Sequence, residues 1–361
     1  MRSLFVLILV GLLTPLWGAG SVAPLVGEPK ADFVVAADGS GDFTSVQEAI
    51  MAVPDFRKTP TIVVIRPGVY KEKLVLPASK TKVVFWGSSP EEVVLTYDDY
   101  AQKLNRFGEE MGTTGSSSFF IFGDDFSAHN ITFENSAGPV GQAVAVRVSG
   151  DRAAFNNCRF LGHQDTLYPN QAGSRQYYYN CYIEGTVDFI FGWATAWFEA
   201  CTLVPLRGSY LTAASTDADT AHGFVFNNCR IEGPAPEASV YLGRPWRPHA
   251  QTVFMRTYMD ASVRPEGWHN WNKPHAEATV FYAEYENYGP GAASSERVSW
   301  SRQLTPEEAA ALTLESVLGG EDRWDPSAGP LWRVFENQII VYEKCFAFGP
   351  ADVGFCGLPG D

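Results

Sequence analysis

The sequence predicts an all-β solenoid, a stack of short strand-built coils with small helices at its ends. Three observations predict it. A short motif recurs at Ala128-His-Asn-Ile-Thr-Phe-Glu-Asn135, Ala154-Phe-Asn-Asn-Cys-Arg-Phe160, Tyr178-Tyr-Asn-Cys-Tyr-Ile183, Trp197-Phe-Glu-Ala-Cys-Thr-Leu203 and Val225-Phe-Asn-Asn-Cys-Arg-Ile231. Each copy alternates, is rich in β-branched and aromatic residues, and is typically followed by a turn with Gly, Pro or Asn. Taking Ile131, Cys158, Cys181, Cys201 and Cys229 as equivalent gives spacings of 27, 23, 20 and 28 residues. A variable period of this length, with no helical pattern between copies, suits coils that stack because none can bury its own face. A β-sandwich also repeats strands, but about every 8–12 residues and without in-register cysteines and asparagines.

The ends and the domain plan follow. Thr44-Ser-Val-Gln-Glu-Ala-Ile-Met-Ala-Val53 is amphipathic, opens with a Ser/Thr-x-x-Glu-like start and predicts a capping helix. Thr305-Pro-Glu-Glu-Ala-Ala-Ala-Leu-Thr-Leu314 places Pro in the first helical position and predicts another. Residues 1–20 read as a signal peptide: a charged start, a short apolar run over Leu4–Leu13, then Gly18-Ala-Gly-Ser21. That run is short for a membrane span. Residues 21–361 contain no Gly/Ser-rich or Pro-rich linker and read as one domain, soluble and exported.

Six cysteines suit an oxidising compartment. Cys181 and Cys201, one coil apart at the shortest spacing, are the expected disulfide of the ladder, with Cys158 and Cys229 as buried thiols. Cys345 and Cys356 are expected to staple the Gly/Pro-rich tail. The net charge of −14 disfavours nucleic acid and anionic membranes, and predicts weak retention on any dense polyanion.

Most familiar hydrolytic arrangements are missing. There is no Gly-x-Ser-x-Gly elbow, no His-Glu-x-x-His and no phosphate loop, so neither a metal nor a cofactor is expected. His163 stands two residues before Asp165, yet no serine is singled out to join them, and a packing role is the simpler reading. Three blocks remain: Gly162-His-Gln-Asp-Thr-Leu167, Gly185-Thr-Val-Asp-Phe-Ile-Phe-Gly192 and Leu242-Gly-Arg-Pro-Trp246. They set Asp165, Asp188 and Arg244 among aromatics, where an unpaired charge is costly. Asp165 and Asp188 are 23 residues apart, about one coil, and Arg244 lies two coils further on. Gln142 lies one coil before Gln164. A polar ladder or surface ion pair is the plain alternative.

Several ordered blocks resemble the pectin methylesterases. They include Ala37-Asp-Gly-Ser-Gly-Asp-Phe-Thr-Ser-Val-Gln-Glu-Ala-Ile50, Pro67-Gly-Val-Tyr-Lys-Glu72, Ile131-Thr-Phe-Glu-Asn135, Gln142-Ala-Val-Ala-Val146 and the three blocks above. The resemblance runs from about Val34 to Trp324 and implies a right-handed parallel β-helix. It implies that Asp188 is the nucleophile and Asp165 the general acid and base. Gln142 and Gln164 would donate to the oxyanion, and Arg244 would hold Asp188 and lower its pKa. The implied substrate is methylesterified homogalacturonan, and the implied enzyme is a secreted monomer. Tyr168, Phe191, Trp246 and Trp268 are the aromatics expected to receive the sugar chain, and Trp193 either adds a stacking surface or fills space. A polygalacturonase would carry Asn-Thr-Asp, Gly-His-Gly and Arg-Ile-Lys motifs, and a pectate lyase a calcium cluster; neither set is present. A non-catalytic carbohydrate-binding solenoid would not need Asp165, Asp188 and Arg244 together. The sequon Asn130-Ile-Thr132 falls inside a predicted strand.

Overall fold

The computed structural model describes residues 27–328. The expected signal peptide and the Cys345–Cys356 pair lie outside the described residues. Strands pair in parallel into three sheets of eleven, eight and seven strands, each coil contributing to the sheets in turn. This is a parallel β-helix, with the right-handed sense that parallel crossovers take.

The stacking follows the repeat. Thr132 pairs with Arg159, Arg159 with Tyr182, Tyr182 with Thr202 and Thr202 with Arg230. Each stands one residue after Ile131, Cys158, Cys181, Cys201 or Cys229, so the equivalence drawn from spacing holds. The aromatic residue three positions before each cysteine forms an internal stack. Phe155, Tyr178, Phe198 and Phe226 follow at centroid separations of 5.0, 4.6 and 4.4 Å. All four are buried. Burial of each ring contributes about 1.5–3 kcal/mol, and each stacked pair about 0.5–1.5 kcal/mol more.

A second ladder turns the corner between the eleven-strand and eight-strand sheets. Asn130, Asn157, Asn180 and Asn228 take positive φ values of 57°, 51°, 50° and 53°. Asparagine tolerates this left-handed conformation better than most residues. The Asn157 amide donates to Asn130 Oδ1 at 2.8 Å and the Asn180 amide to Asn157 Oδ1 at 3.2 Å. The sequon asparagine is therefore at this corner and not inside a strand. It is buried, and its Nδ2 donates to the Gly87 carbonyl at 3.2 Å.

Two expectations are corrected. Cys158, Cys181, Cys201 and Cys229 are all free thiols, so no Cys181–Cys201 disulfide forms. In-register parallel strands point successive Cβ atoms the same way about 4.8 Å apart, whereas a disulfide needs converging Cβ atoms about 3.5–4.5 Å apart. The thiols instead lie against backbone carbonyls, Cys201 Sγ to Tyr178 O at 3.4 Å and Cys229 Sγ to Phe198 O at 3.4 Å.

The second correction concerns the helices. Helix α1 (Val46–Ala52) does cover the first end, with Ser45 as its N-cap and Val46, Ala49 and Ile50 buried in the core. Glu72 binds its N-terminus through Val46 N (2.9 Å) and Gln47 N (3.1 Å). A single turn, α2 (Gly112–Gly115), follows much later. The expected helix from Thr305 forms as α3 (Pro306–Ala311), which stops short of Leu314, and a further helix, α4 (Leu314–Leu318), follows it. Thr305 and Glu308 form a capping box on α3, and Thr313 starts α4 with a new N-cap. The pair does not close an end: Ala309, Val317 and Leu318 pack on the outward face of the eleven-strand sheet, against Tyr177, Trp197 and Val225.

Candidate active site

The seven-strand sheet builds the floor of the site. Arg147 pairs with Tyr168, and Phe191 with Ala213. Leu167 pairs with Ile190 and Thr212 with Gly243, which continues the outward column as Arg147, Tyr168, Phe191, Ala213 and Arg244. Much of this column floors a cleft of about 580 Å3, whose lining includes Gln142, Gln164, Asp165, Asp188, Trp246 and Trp271.

Asp165 and Asp188 occupy the same turn on successive coils, each just ahead of a floor strand. Both have positive φ, 66° and 49°, so the turn projects each carboxylate alike. The glycines around Asp188 serve close packing. At Gly192, with φ of 142°, a Cβ would strike the Pro169 carbonyl, and at Gly185 it would strike Phe189. Both aspartates are buried, at 7% and 5% exposure.

Arg244 binds Asp188 through two hydrogen bonds, Nε to Oδ1 at 2.9 Å and Nη2 to Oδ2 at 2.7 Å. Its guanidinium carbon lies 3.9 Å from the Tyr210 ring centroid and 3.7 Å from that of Trp271. A planar delocalised cation between two rings is locked in orientation as well as attracted. Gln142 bridges directly to Gln164 across the coil step. Gln142 Oε1 accepts from Gln102 Nε2 at 3.2 Å, leaving the Gln142 N–H groups as donors.

The two carboxyls differ in their electrostatics. Burial, reinforced by the charge of Asp188, pushes Asp165 well above the usual carboxylate range against weaker pulls from Arg244 and Gln164. Burial also raises Asp188, while the hydrogen bonds and charge of Arg244 draw it back. The expected lowering of Asp188 below its ordinary value therefore does not occur, because desolvation outweighs the arginine. What survives is the order: Asp188 is the stronger acid, because its own cation is hydrogen-bonded to it. The pair can thus hold one ionised and one protonated carboxyl at once.

Tyr168 and Phe191 stack at 4.1 Å, with Trp246 5.8 Å from Phe191 and Trp193 4.7 Å from Trp246. Trp193 extends the aromatic wall. Trp268 does not: it is 1% exposed, stacked on Tyr282 at 4.4 Å inside the core, with Nε1 bonded to Glu284 at 3.2 Å. The ring in the cleft is Trp271, turned outward where the chain takes φ of 56° at Trp271 and 54° at Asn272. Sequence reasoning also missed Met111, Thr113 and Thr114, which line the cleft from α2 and the loop before it and carry no charge or motif. His163 is absent from the lining, and its Nδ1 is buried without a hydrogen-bond partner among the described residues.

On this parallel β-helix the cleft gathers paired aspartates, a clamped arginine and two glutamines, a set suited to carboxylic ester hydrolysis. The pectinesterase family model matches residues 32–321. The chain is 45% identical over 293 residues to pectinesterase 31 of Arabidopsis thaliana, covering 80% of this chain and 92% of that protein. It spans about half of longer relatives, for example 54% of the probable pectinesterase/pectinesterase inhibitor 58 of Arabidopsis thaliana, with 40% identity over 83% of this chain. A pectin methylesterase from carrot superposes with a TM-score of 0.76 at 35% identity, covering 83% of this chain and 97% of that one. A pectin methylesterase in complex with a hexasaccharide gives 0.72 at 32% identity, covering 84% and 100%. The chain belongs to the pectinesterase family.

Proposed function

We propose that this chain hydrolyses the C6 methyl esters of galacturonate units in pectin, with Asp188 as nucleophile and Asp165 as general acid and then base. One observation carries the reading: two buried carboxyls sit one coil apart on an aromatic floor, and only one is clamped by an arginine. In the first step an Asp188 oxygen attacks the ester carbonyl, and the tetrahedral oxyanion takes hydrogen bonds from Gln142 and Gln164. Such donors contribute about 3–4 kcal/mol each in related sites. Collapse breaks the bond to methoxide, which takes the Asp165 proton and leaves as methanol. Asp188 is then an acyl anhydride. In the second step Asp165, now ionised, removes a proton from water as it attacks, and the free galacturonate and Asp188 are restored. No cofactor enters either step.

The aromatic wall of Tyr168, Phe191, Trp193 and Trp246 suits sugar faces, and the hexasaccharide held by a structural relative supports a polysaccharide lying in this cleft. On this reading residues 21–361 act as a single domain, a secreted monomer that meets cell-wall pectin after removal of residues 1–20. Methanol release from methylesterified pectin, with and without Asp188→Ala, tests the activity. A fully active variant would refute the assignment of the nucleophile.

A further inference from the structure

Trp271 reaches the cleft where the chain takes two consecutive left-handed residues, with φ of 56° at Trp271 and 54° at Asn272. Neither is glycine, so the turn is strained and persists only where contacts fix it from several sides. Three bonds within the turn shape it: Trp271 N to His269 Nδ1 (3.0 Å), Asn272 N to Asn270 Oδ1 (2.9 Å) and Lys273 N to the Asn270 carbonyl (3.0 Å). Further bonds tie it to the block that carries Arg244. Ahead of the turn, His269 N donates to the Gly243 carbonyl at 3.1 Å. After it, the half-buried Lys273 ammonium donates to the carbonyls of Pro245 (3.0 Å) and Trp246 (3.1 Å).

That ammonium also lies 4.4 Å from the Trp271 ring centroid, so the indole against the Arg244 guanidinium has a second cation beside it. An ammonium has three donors and is attracted to a ring face, so one side chain can serve two carbonyls and an indole together. Lys273 makes no ion pair among the described residues, and it does not line the cleft. We propose that Lys273 is a positioning residue: from behind the aromatic wall it ties Trp271 to Trp246 and so holds the Arg244 clamp on Asp188 in one geometry. This rests on the esterase reading above. The charge has a consequence of its own. Asp188 faces Asp165, Arg244 and the buried Tyr282, and Lys273 faces Arg247, Arg244 and Asp188, with His269 and Glu277 beside the same turn. Burial raises Asp188, and the charge of Lys273 adds to that of Arg244 in drawing it back. Burial and the two arginines lower Lys273, while Asp188 raises it.

The test is the pH profile of kcat/KM for methanol release from methylesterified pectin. Lys273→Met keeps the stem and removes the charge and the donors. It lowers kcat/KM roughly tenfold, the scale of losing one charged hydrogen bond. It also moves the acid limb up by about half a pH unit, the pull of one charge across partly solvated space. Lys273→Arg, which keeps charge and donors, returns the limb to its wild-type position and recovers most of the rate. A Lys273→Met enzyme with the wild-type rate or the wild-type acid limb overturns the proposal. So does a loss that is equal at every pH and that Lys273→Arg does not relieve, which is what loosened packing alone would give. If Lys273→Met does not fold, Lys273→Gln, which keeps a donor without charge, carries the same test, and an unmoved acid limb there overturns it. Methanol release by the wild type tests the esterase reading separately. An inactive wild type ends that reading, whereas an active wild type with unaffected variants ends only the role of Lys273.

Discussion

Arg244 holds Asp188 with two parallel hydrogen bonds while its own guanidinium is held between Tyr210 and Trp271. The arginine thus sets both the charge and the aim of the carboxylate. Lysine at this position keeps the charge but can neither fork nor stack. Arg244→Lys is expected to lower kcat/KM for methanol release by about 10²-fold or more, the scale of losing one preorganised electrostatic contact. The acid limb of its pH profile moves to higher pH, because Asp188 is less well held as an anion. A profile that keeps its acid limb would show that Arg244 does not tune Asp188.

Asp165 gives a pH prediction with a definite sign. Its folded pKa is raised well above 3.8 by burial and by Asp188. The stability it contributes is fully present below that ordinary value and is lost as pH rises through the folded value. Asp165→Asn removes the titration with little change of shape. The variant should melt at higher temperature than wild type near neutral pH, with the gap closing as pH falls toward 3.8. Its turnover should fall by about 10²–10⁴-fold, the usual worth of a general acid–base group. Thermal melts across pH check the first claim; a gap that widens toward acid would contradict it. In wild type, activity should rise as the proposed nucleophile Asp188 ionises and fall as Asp165 does, giving a bell.

The parts legible in the sequence are those that stacking forces to repeat. Coil-to-coil register puts like residues on like, so the Phe155–Tyr178–Phe198–Phe226 stack and the asparagine corner advertise themselves. The 23-residue step from Asp165 to Asp188 is legible for the same reason. What was not legible lies where the repeat breaks. Met111, Thr113 and Thr114 come from a connection that belongs to no coil position. Trp268 and Trp271 are three residues apart, and a left-handed turn decides which ring lines the cleft. The Thr305-Pro306 start announces α3, yet nothing local to α3 and α4 names Tyr177 and Trp197 as their packing partners.

The proposed oxyanion donors should be graded by how well they are held. Gln142 is oriented by Gln102 at 3.2 Å. Gln142→Ala should lower kcat by about 10²–10³-fold with a much smaller change in KM. Gln102→Ala should lower it less, because the Gln142 donor remains but is free to turn. Steady-state kinetics on esterified pectin decide this. Equal effects of both changes on KM alone would mean that the glutamines bind substrate without stabilising the transition state.

Trp268 and Trp271 should separate stability from activity. Trp268→Ala empties a buried site against Tyr282 and removes one donor from Glu284, which keeps Arg297, a loss of about 3–5 kcal/mol. Trp271→Ala removes one face of the Arg244 sandwich and part of the cleft wall while the core stays intact. Its melting temperature should stay within a few degrees of wild type while kcat/KM falls. Denaturation and kinetics on both variants provide the check; a Trp271 variant with normal turnover would remove that ring from the site.

The cysteine ladder makes the last prediction. Cys158, Cys181, Cys201 and Cys229 are buried in the shared core. Burial pushes the Cys158 and Cys201 thiols well up, away from the reactive thiolate. Iodoacetamide should therefore modify none of the four in the native protein. In denaturant without reductant it should modify all four, because the parallel Cβ vectors that align them also keep them from bonding. Peptide mass spectrometry distinguishes the outcomes. A cross-linked peptide joining Cys181 to Cys201 would mean that adjacent coils shift from their in-register stacking, and with them the spacing that sets Asp165 beside Asp188.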